Sequence, residues 1–429
     1  MVVGEFAMDA DVVIIGGGPA GYACAEAAAR NGRKITIVDS TDPDKVDSVA
    51  ARRTLLNALL AANMAAEFGI TPGLSQPDLS VIRRHAKAFQ DRAAAVRADL
   101  ISTHDISVIQ GTARFLSSRE VQVAGEHVHR LRFKRAVICT GSRRSPHPSL
   151  DGVDGVISVG HLVTHPEDIN RPVTVLGNSP VAIEAAYIAS GLGAKTTLVC
   201  CGNQVLPGIP SELADLLVKA VPFDVIMGDF TEEHAASIIV DAADRVSMTA
   251  ELGIETTSIK QVDGWIDTND RMQTSESRIL AAGDCTGPPL HAGAAAQQGR
   301  IAAETILGGH AAWDPTAIAH VCHTLPQVSW AGTQFGEQVQ TLVLPWSSHG
   351  SSDGHTVLSW NIPTGTLTGI GAIGPGACDL ADGFVTTLEM GTTIQDLADM
   401  VPAHVSGHCV LGDAARDLAA SARDQFMRS

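Results

Sequence analysis

The sequence predicts an α/β protein with two strand–turn–helix–strand units and a C-terminal α+β region. Three observations support this. A glycine-rich turn follows a buried apolar run near the N-terminus, a weaker copy of that pattern begins near residue 172, and short alternating strands replace it after residue 316. Only 4% of the residues are aromatic. The core must therefore consist mostly of alanine and branched aliphatic side chains, as in parallel sheets covered by helices.

The first unit contains a strand, a glycine turn, a helix and a second strand within about 30 residues. The apolar run 11–15 predicts a buried strand, and the sequence GGGPAG follows it directly. Gly16, Gly18 and Gly21 permit a tight turn that lets a pyrophosphate approach the helix N-terminus. Asp39 ends the second strand, where a carboxylate accepts a hydrogen bond from a ribose hydroxyl. These features predict a Rossmann-like dinucleotide-binding domain.

The second unit has the same order of elements but a degenerate fingerprint. A strand at 173–177 leads into a turn in which Ser179 and Ala182 replace two of the three glycines, and only Gly177 remains. The next strand ends at Cys200 without a carboxylate, so nothing there repels a 2′-phosphate. This favours NADPH over NADH as the nucleotide. A domain retained only for its structural role is the alternative interpretation.

The remaining segments complete the predicted organisation. Residues 51–100 predict two long helices, and a β-meander follows before a buried strand that ends in Thr140 and Gly141. Another short strand ends in Gly283 and Asp284, and an alanine-rich helix follows it. Beyond this helix, short strands and then helices predict a separate α+β domain.

Composition and charge argue against several classes of protein. The formal net charge is −17, which argues against a nucleic-acid partner. The eight cysteines show no CxxC spacing, so a disulfide framework or a zinc ribbon is not expected. The apolar stretch near the N-terminus is too short and too rich in glycine to span a membrane, and no basic segment precedes it. We expect a cytoplasmic enzyme with a small-molecule substrate and no membrane partner.

The order of these motifs resembles the pyridine nucleotide–disulfide oxidoreductases, the family of lipoamide dehydrogenase, glutathione reductase and mercuric reductase. The resemblance rests on GGGPAG, the ICTGS segment, the second turn and the AAGD segment, and it extends from Asp9 to about Ala420. It implies FAD in the first domain, NAD(P)H in the second and a homodimer. It assigns to FAD the residues Gly16, Gly18, Gly21, Asp39, Thr140, Gly141, Gly283 and Asp284, and to NAD(P)H the residues Gly177, Ser179, Ala182 and Glu184.

The resemblance also divides the chain into four segments. Residues 9–171 form the first part of the FAD-binding domain, and 266–315 form its second part. Residues 172–265 form the NAD(P)H-type domain, and 316–429 form the dimerisation domain. Only 106 residues separate the first glycine of the second turn from the glycine of AAGD. We therefore expect the NAD(P)H-type domain to be shortened by about one β-meander.

The family's redox-active cysteine pair is missing from this sequence. Alignment on the family's helix start places the two cysteine positions at Asp44 and Val49, and neither side chain can undergo thiol–disulfide exchange. Arg53 falls where the family has a flavin-proximal lysine, and it is a second candidate catalytic residue. We expect no reduction of lipoamide, glutathione disulfide or Hg(II) by the family's mechanism.

A histidine near the C-terminus matches the family's catalytic histidine. His404 occupies that position, but Cys409 stands where the family has the glutamate that orients the imidazole. His404 is therefore either an acid or base, or a packing residue at a dimer seam. His404 and His408 have the spacing of metal ligands on a helix, but Gly407 and the lack of a third ligand favour a loop, and we expect no metal.

Three functions remain open. The first is an NAD(P)H-dependent reductase whose FAD passes electrons directly to a small acceptor such as a quinone, with a soluble transhydrogenase as a variant. The second is a nicotinamide-independent FAD dehydrogenase or oxidase with His404 as base. The third is a non-catalytic flavin-binding subunit, which the intact FAD motifs disfavour.

Overall fold

The computed structural model describes residues 7–40, 48–67, 69, 78–234, 238–333, 335–346, 354–402 and 409–428. The chain folds into two compact units, each of which contains one of the two predicted strand–turn–helix–strand patterns. From here on, the first unit and the second unit are these two compact units. The first unit combines residues 1–47, 87–145 and 244–314, and the second combines 48–86, 146–243 and 315–429. Each unit is therefore built from three separate stretches of sequence.

Strands and helices alternate through most of the described chain. The strands are β1 (Ala7–Ile15), β2 (Ile35–Asp39), β3 (Ser107–Gln110), β4 (Thr112–Ser117), β5 (Glu120–Ala124), β6 (His129–Ile138), β7 (Ser142–Arg144), β8 (Val156–Ser158), β9 (Val173–Leu176), β10 (Thr196–Cys200), β11 (Asp224–Met227), β12 (Ile238–Asp241), β13 (Arg245–Ser247), β14 (Gln261–Val262), β15 (Trp265–Ile266), β16 (Ile279–Ala281), β17 (His320–Cys322), β18 (Gln327–Gly332), β19 (Val339–Pro345), β20 (His355–Asn361) and β21 (Leu367–Gly374). The helices are α1 (Pro19–Ala29), α2 (Ser48–Glu67), α3 (Leu79–Thr103), α4 (Val159–Thr164), α5 (Pro180–Gly191), α6 (Ser211–Ala220), α7 (Ala292–Leu307), α8 (Ala381–Glu389), α9 (Ile394–Asp399) and α10 (Cys409–Arg428). None of the helices in the described ranges is both long and apolar enough to cross a membrane.

The main sheet of the first unit has the order β3-β2-β1-β6-β5-β4, with β16 also paired to β6. Strands β1, β2, β3, β6 and β16 are parallel, and β4 and β5 form the antiparallel part. The last strand of the predicted meander and the buried strand after it are one continuous strand, β6. Strand β1 pairs with β6 from Ala7↔Arg130 to Ile15↔Ile138, along nearly its whole length, and so joins the two predicted pieces.

Helices α1 and α7 pack closely against each other in the first unit. The contact is made by small residues: Ala20, Ala295 and Ala302 are all buried, and Gly299 lies against the backbone of α1. A Cβ atom on Gly299 would lie 2.2 Å from Ala20 O. The absence of a side chain at this position therefore sets how closely the two helices approach.

The second unit contains a parallel sheet of order β11-β10-β9-β12-β8. It follows the strand–turn–helix–strand pattern that the second fingerprint predicts, and α5 is almost entirely buried. The grouping departs from the expected segments at α2 and at two strands. Helix α2 lies within the expected segment 9–171 but groups with the second unit. Strand β8 belongs to this sheet although it lies before residue 172, because it pairs with β12. Strand β13 lies before residue 266 but groups with the first unit, because it pairs with β7.

The C-terminal part of the second unit is an antiparallel sheet of order β17-β18-β21-β20-β19. Helices α8, α9 and α10 supply the other residues of its core, which includes Phe384 and Leu388. The sequence analysis missed β17 and β18. Strand β18 is buried on both faces and so lacks the alternation that marks a half-buried strand. The predicted α/β class with a C-terminal α+β region is confirmed.

We predict that Gly299→Ala lowers the free energy of unfolding by about 1–3 kcal/mol, because the added methyl group must push α1 away from α7. Gly412→Ala is the matched control on α10, where the nearest atoms belong to the flexible end of Arg416 at 3.2 Å. The control should be unchanged or stabilised by up to about 1 kcal/mol through helix propensity. Urea denaturation measures both variants, and equal stability of the two would contradict the prediction.

Candidate functional site

A cavity of about 590 Å³ lies in the first unit, at the carboxyl ends of its parallel strands. This is the edge at which open α/β sheets bind ligands. The cavity brings together seven of the eight residues assigned to FAD from the sequence, namely Gly16, Gly18, Asp39, Thr140, Gly141, Gly283 and Asp284. Gly21 does not line it but lies behind the turn. Residues from three distant stretches of sequence therefore converge on one site.

The glycine turn after β1 is built by close backbone contacts. Gly16 has a φ of +112°, and a Cβ there would lie 2.2 Å from Cys139 O. A Cβ on Gly21 would lie 1.9 Å from Gly16 O. Gly18 differs, because its φ is −83° and no atom lies within 4 Å of a Cβ built on it. Gly16 and Gly21 are thus required by the turn itself, whereas Gly18 leaves open space at the N-terminus of α1.

Asp39 lies directly against this turn. It ends β2, only 8% of its surface is exposed, and its Oδ2 would be 2.2 Å from a Cβ on Gly17. Gly17 was not among the residues selected from the sequence, although the run of three glycines was the signal for it. Because Gly17 has no side chain, the Asp39 carboxylate can contact the turn. In dinucleotide-binding folds, a carboxylate at this position binds the ribose next to the pyrophosphate.

Asp284 is held in place by a chain of hydrogen bonds. Ser142 Oγ donates to Asp284 Oδ2 at 2.8 Å, and Arg245 Nε donates to Ser142 Oγ at 2.8 Å. Arg245 Nη2 also donates to Ser142 O and lies 4.0 Å from Asp284 Oδ2. The carboxylate therefore has a fixed orientation at the cavity wall. Sequence reasoning missed Arg245, since no local motif marks it and only the pairing of β13 with β7 brings it to the site.

The remaining wall carries a polar atom that lacks a partner. Thr140 Oγ1 is buried and, among the described residues, receives no hydrogen bond. Gly283, with a φ of +83°, donates its N–H to Gln298 Oε1 at 2.8 Å. The start of α7 also reaches the cavity through Ala292. The glycine cradle, the two helix N-termini, the strand-end carboxylate and the unpaired hydroxyl together fit an elongated dinucleotide such as FAD.

The second glycine turn lies in the second unit and has the same backbone form. Gly177 has a φ of +140°, and a Cβ there would lie 2.7 Å from Ala242 O. Ser179 caps α5, and its Oγ accepts from Ala182 N at 3.4 Å. Asn178 Nδ2 donates to Cys201 O at 2.9 Å. Asn178 thus stands where the first turn has Gly17, and its side chain links the turn to the residue after β10.

Glu184 is a buried acid of this second unit. Its Oε2 lies 3.3 Å from Arg52 Nε, and its Oε1 accepts from the backbone N–H of His323 at 3.0 Å. Burial raises the pKa of Glu184, while the Arg52 charge opposes the shift. Arg53, the candidate selected from the sequence, is exposed and one residue away. Neighbouring residues on a helix point about 100° apart, and the ion pair with Glu184 is made by Arg52, whereas Arg53 acts on the pKa of Glu184 through its charge alone.

His323 is another titratable group of this cluster. Burial, followed by the charges of Arg53 and Arg52, lowers its pKa to about 4, so that the imidazole is neutral near pH 7. Of the two positions where the family has cysteines, Val49 lies at the exposed start of α2, whereas Asp44 lies outside the described residues, as does the candidate His404.

The thiols are poorly suited to redox chemistry. Cys285 follows Asp284 but is completely buried, and its Sγ contacts Ile138 O at 3.3 Å and Ala282 O at 3.4 Å. Burial raises its pKa to about 12. Burial likewise raises the pKa of Cys24, Cys139, Cys200, Cys322 and Cys378. Since the thiolate is the reactive form, the raised pKa values disfavour redox chemistry at these six cysteines near neutral pH.

Comparisons with known proteins agree with this geometry. A family model described as pyridine nucleotide-disulphide oxidoreductase matches residues 10–224, half of the chain. The dihydrolipoyl dehydrogenase of Geobacillus stearothermophilus is 26% identical, with 98% of this chain and 97% of that protein covered. That of Thermus scotoductus is 27% identical, with 92% and 94% covered.

Solved structures show the same fold. LpdA from Mycobacterium tuberculosis matches with a TM-score of 0.82 at 20% identity and covers 96% of this chain and 100% of its own. The HOCl-induced flavoprotein disulfide reductase RclA from Escherichia coli matches with a TM-score of 0.81 at 19% identity, with 94% and 98% covered.

We predict that Gly18→Val weakens FAD binding by at least about 100-fold while the fold is kept. The substituted side chain meets no protein atom and has an accessible φ, but it fills the space at the N-terminus of α1 where a pyrophosphate would bind. The ratio of flavin to protein absorbance after purification measures binding, and far-ultraviolet circular dichroism checks the fold.

Ser179→Val is the matched control, because Ser179 holds the same position before α5 in the second turn. It should retain a full complement of FAD. Normal FAD content in Gly18→Val would show that the dinucleotide does not bind at this turn.

Proposed function

Because the chain belongs to the pyridine nucleotide-disulphide oxidoreductase family, we propose that it is a reductase of that family that works without a redox disulfide. The chain is an FAD-dependent oxidoreductase. In the proposed reaction NADPH is the electron donor, and a small quinone-like molecule is the acceptor. One observation carries the proposal: seven of the eight residues assigned to FAD line one cavity, yet the six thiols with resolved shifts have raised pKa values and the sequence has no cysteine between residues 40 and 56.

The residues of the first unit have distinct tasks in this proposal. Bound FAD supplies hydride and electron transfer. The first turn of α1 offers its free N–H groups to the pyrophosphate, and Asp39 accepts a hydrogen bond from the ribose. Asp284 accepts from a hydroxyl group of the cofactor, and Ser142 and Arg245 keep that carboxylate oriented. Thr140 Oγ1 supplies a further partner for a polar atom of the ligand.

The second turn supports the use of a nicotinamide nucleotide. Gly177 retains the backbone form that allows close approach of a phosphate, and Ser179 begins a well-packed helix. The end of β10 has no carboxylate to repel a 2′-phosphate, since Cys200 stands there. We therefore expect NADPH to bind better than NADH, although the described residues show no arginine or lysine at this strand end that would strengthen the preference.

We predict that anaerobic NADPH bleaches the flavin absorbance of the holoenzyme, and that NADH does so less tightly and more slowly. Stopped-flow absorbance near 450 nm, where oxidised flavin absorbs, measures the reaction for each nucleotide. Cys285→Ser should leave the rate unchanged, because a buried neutral thiol takes no part in it. Lipoamide and glutathione disulfide should not be turned over, whereas a soluble quinone should reoxidise the reduced protein.

Two results would redirect the proposal. Bleaching by neither nucleotide would favour a nicotinamide-independent dehydrogenase or oxidase of a small metabolite. Disulfide reduction that disappears in Cys285→Ser would mean that the redox centre includes that thiol after all.

The proposed assembly is a homodimer formed through the C-terminal α+β region. This region exposes several large apolar side chains, including Phe335, Met390 and Val401, which is 94% exposed. Such side chains are costly to leave in water when they are grouped on one surface. Light scattering at micromolar concentration should give twice the chain mass of 44.7 kDa. A monomer would contradict the proposal and would remove His404 from the candidate catalytic residues.

A further inference from the structure

The two glycine turns can be aligned residue by residue through their hydrogen bonds. Gly16 donates its N–H to Val38 O at 2.8 Å, and Gly177 donates its N–H to Val199 O at 3.0 Å. Each glycine also has a φ in the region that L side chains rarely adopt, and each approaches the carbonyl just after a neighbouring strand of its sheet, Cys139 O after β6 and Ala242 O after β12. The two turns are therefore equivalent in backbone, and their differences lie in side chains.

The alignment identifies one substitution at the place where ribose is recognised. It pairs Cys200 with Asp39, and Asn178 with Gly17. In the first turn the Asp39 carboxylate occupies the space above Gly17, 2.2 Å from where a Cβ would lie. In the second turn the strand ends in a buried thiol, and the side chain of Asn178 extends from the turn toward the strand end instead. Its Nδ2 donates to the carbonyl of Cys201, the residue directly after β10, at 2.9 Å.

We propose that the carboxamide of Asn178 replaces the missing strand-end carboxylate as the group that recognises the adenosine ribose of the nicotinamide nucleotide. This inference rests on the nucleotide use proposed above. Asn178 is partly exposed, and among the described residues only Cys201 O pairs with its carboxamide. One amide hydrogen therefore stays free to donate, and the carbonyl oxygen stays free to accept.

The chemistry of the carboxamide explains why the preference for NADPH should be modest. The free oxygen accepts from a ribose 2′-hydroxyl, and the free N–H donates to a 2′-phosphate oxygen. A carboxamide has no charge, so it neither repels the phosphate as a carboxylate would nor attracts it as an arginine would. Asn178 is thus a specificity-determining residue that accommodates both nucleotides.

The test uses two probes that differ only in the 2′-phosphate, 2′,5′-ADP and 5′-AMP, and measures their affinities for the FAD holoenzyme by isothermal titration calorimetry. Asn178→Asp should weaken 2′,5′-ADP by about tenfold or more relative to 5′-AMP, because a carboxylate beside the 2′-phosphate repels it. Asn178→Gly, which restores the residue of the first turn, should weaken both probes by about fivefold through loss of one hydrogen bond.

Asn170→Asp is the matched control, since it introduces the same charge at an exposed position away from the turn. It should leave both affinities unchanged. If the wild-type protein binds both probes but Asn178→Asp does not change their ratio, or Asn178→Gly changes neither affinity, the assignment of Asn178 is overturned while the proposed function stands. If the wild-type protein binds neither probe and neither nucleotide bleaches its flavin, the proposed nucleotide use fails and this inference fails with it.

Discussion

The close approach of a glycine turn to the carbonyl of a neighbouring strand is the constraint on which both nucleotide-type sites depend. At Gly16 and at Gly177 the end of a neighbouring strand lies so near that a side chain would overlap the backbone carbonyl of Cys139 or Ala242. This contact turns the chain sharply from strand to helix and places the helix N-terminus at the sheet edge. The position of Asp39 and the open space at Gly18 follow from it. The first glycine turn therefore consists of residues without side chains, and this leaves space for a ligand beside Gly18.

The first unit adds charge and polarity to this backbone frame. Asp284, Ser142 and Arg245 come from three strand ends, and their hydrogen bonds fix one carboxylate at the cavity wall. The hydroxyl of Thr140, which has no hydrogen-bond partner in the part of the chain that the structure describes, lies on the same wall. A buried polar atom without a partner is costly in an empty protein and becomes favourable when a ligand satisfies it. The wall therefore has the character of a site whose hydrogen bonds are completed by a bound molecule.

The second unit shows what changes when the same frame carries different side chains. The backbone path is the same in both turns although three side chains differ. The second turn has Ala182, Cys200 and Asn178 where the first has Gly21, Asp39 and Gly17. The buried carboxylate of Glu184 pairs with the half-buried Arg52 and also accepts a hydrogen bond from the backbone N–H of His323. Loss of one partner from such a pair would leave a buried charge without compensation. The second unit thus keeps its fold while its recognition chemistry differs from that of the first.

The sequence by itself determined the features that depend on local sterics and periodicity. These include both glycine turns, the alternation of strands and helices around them, seven of the residues that line the FAD-type cavity, and the lack of a cysteine between residues 40 and 56. Short sequence patterns suffice for these features, because a glycine indicates a positive φ and a short apolar run indicates a buried strand. Only the tertiary structure decided which distant groups meet: Arg245 with Asp284, Arg52 rather than Arg53 with Glu184, and Asn178 with Cys201. It also decided that β8 pairs with β12 and β13 with β7, and that burial raises the pKa of Cys285. These outcomes depend on strand pairing, helix orientation and burial between residues far apart in the chain, and no short stretch of sequence encodes them.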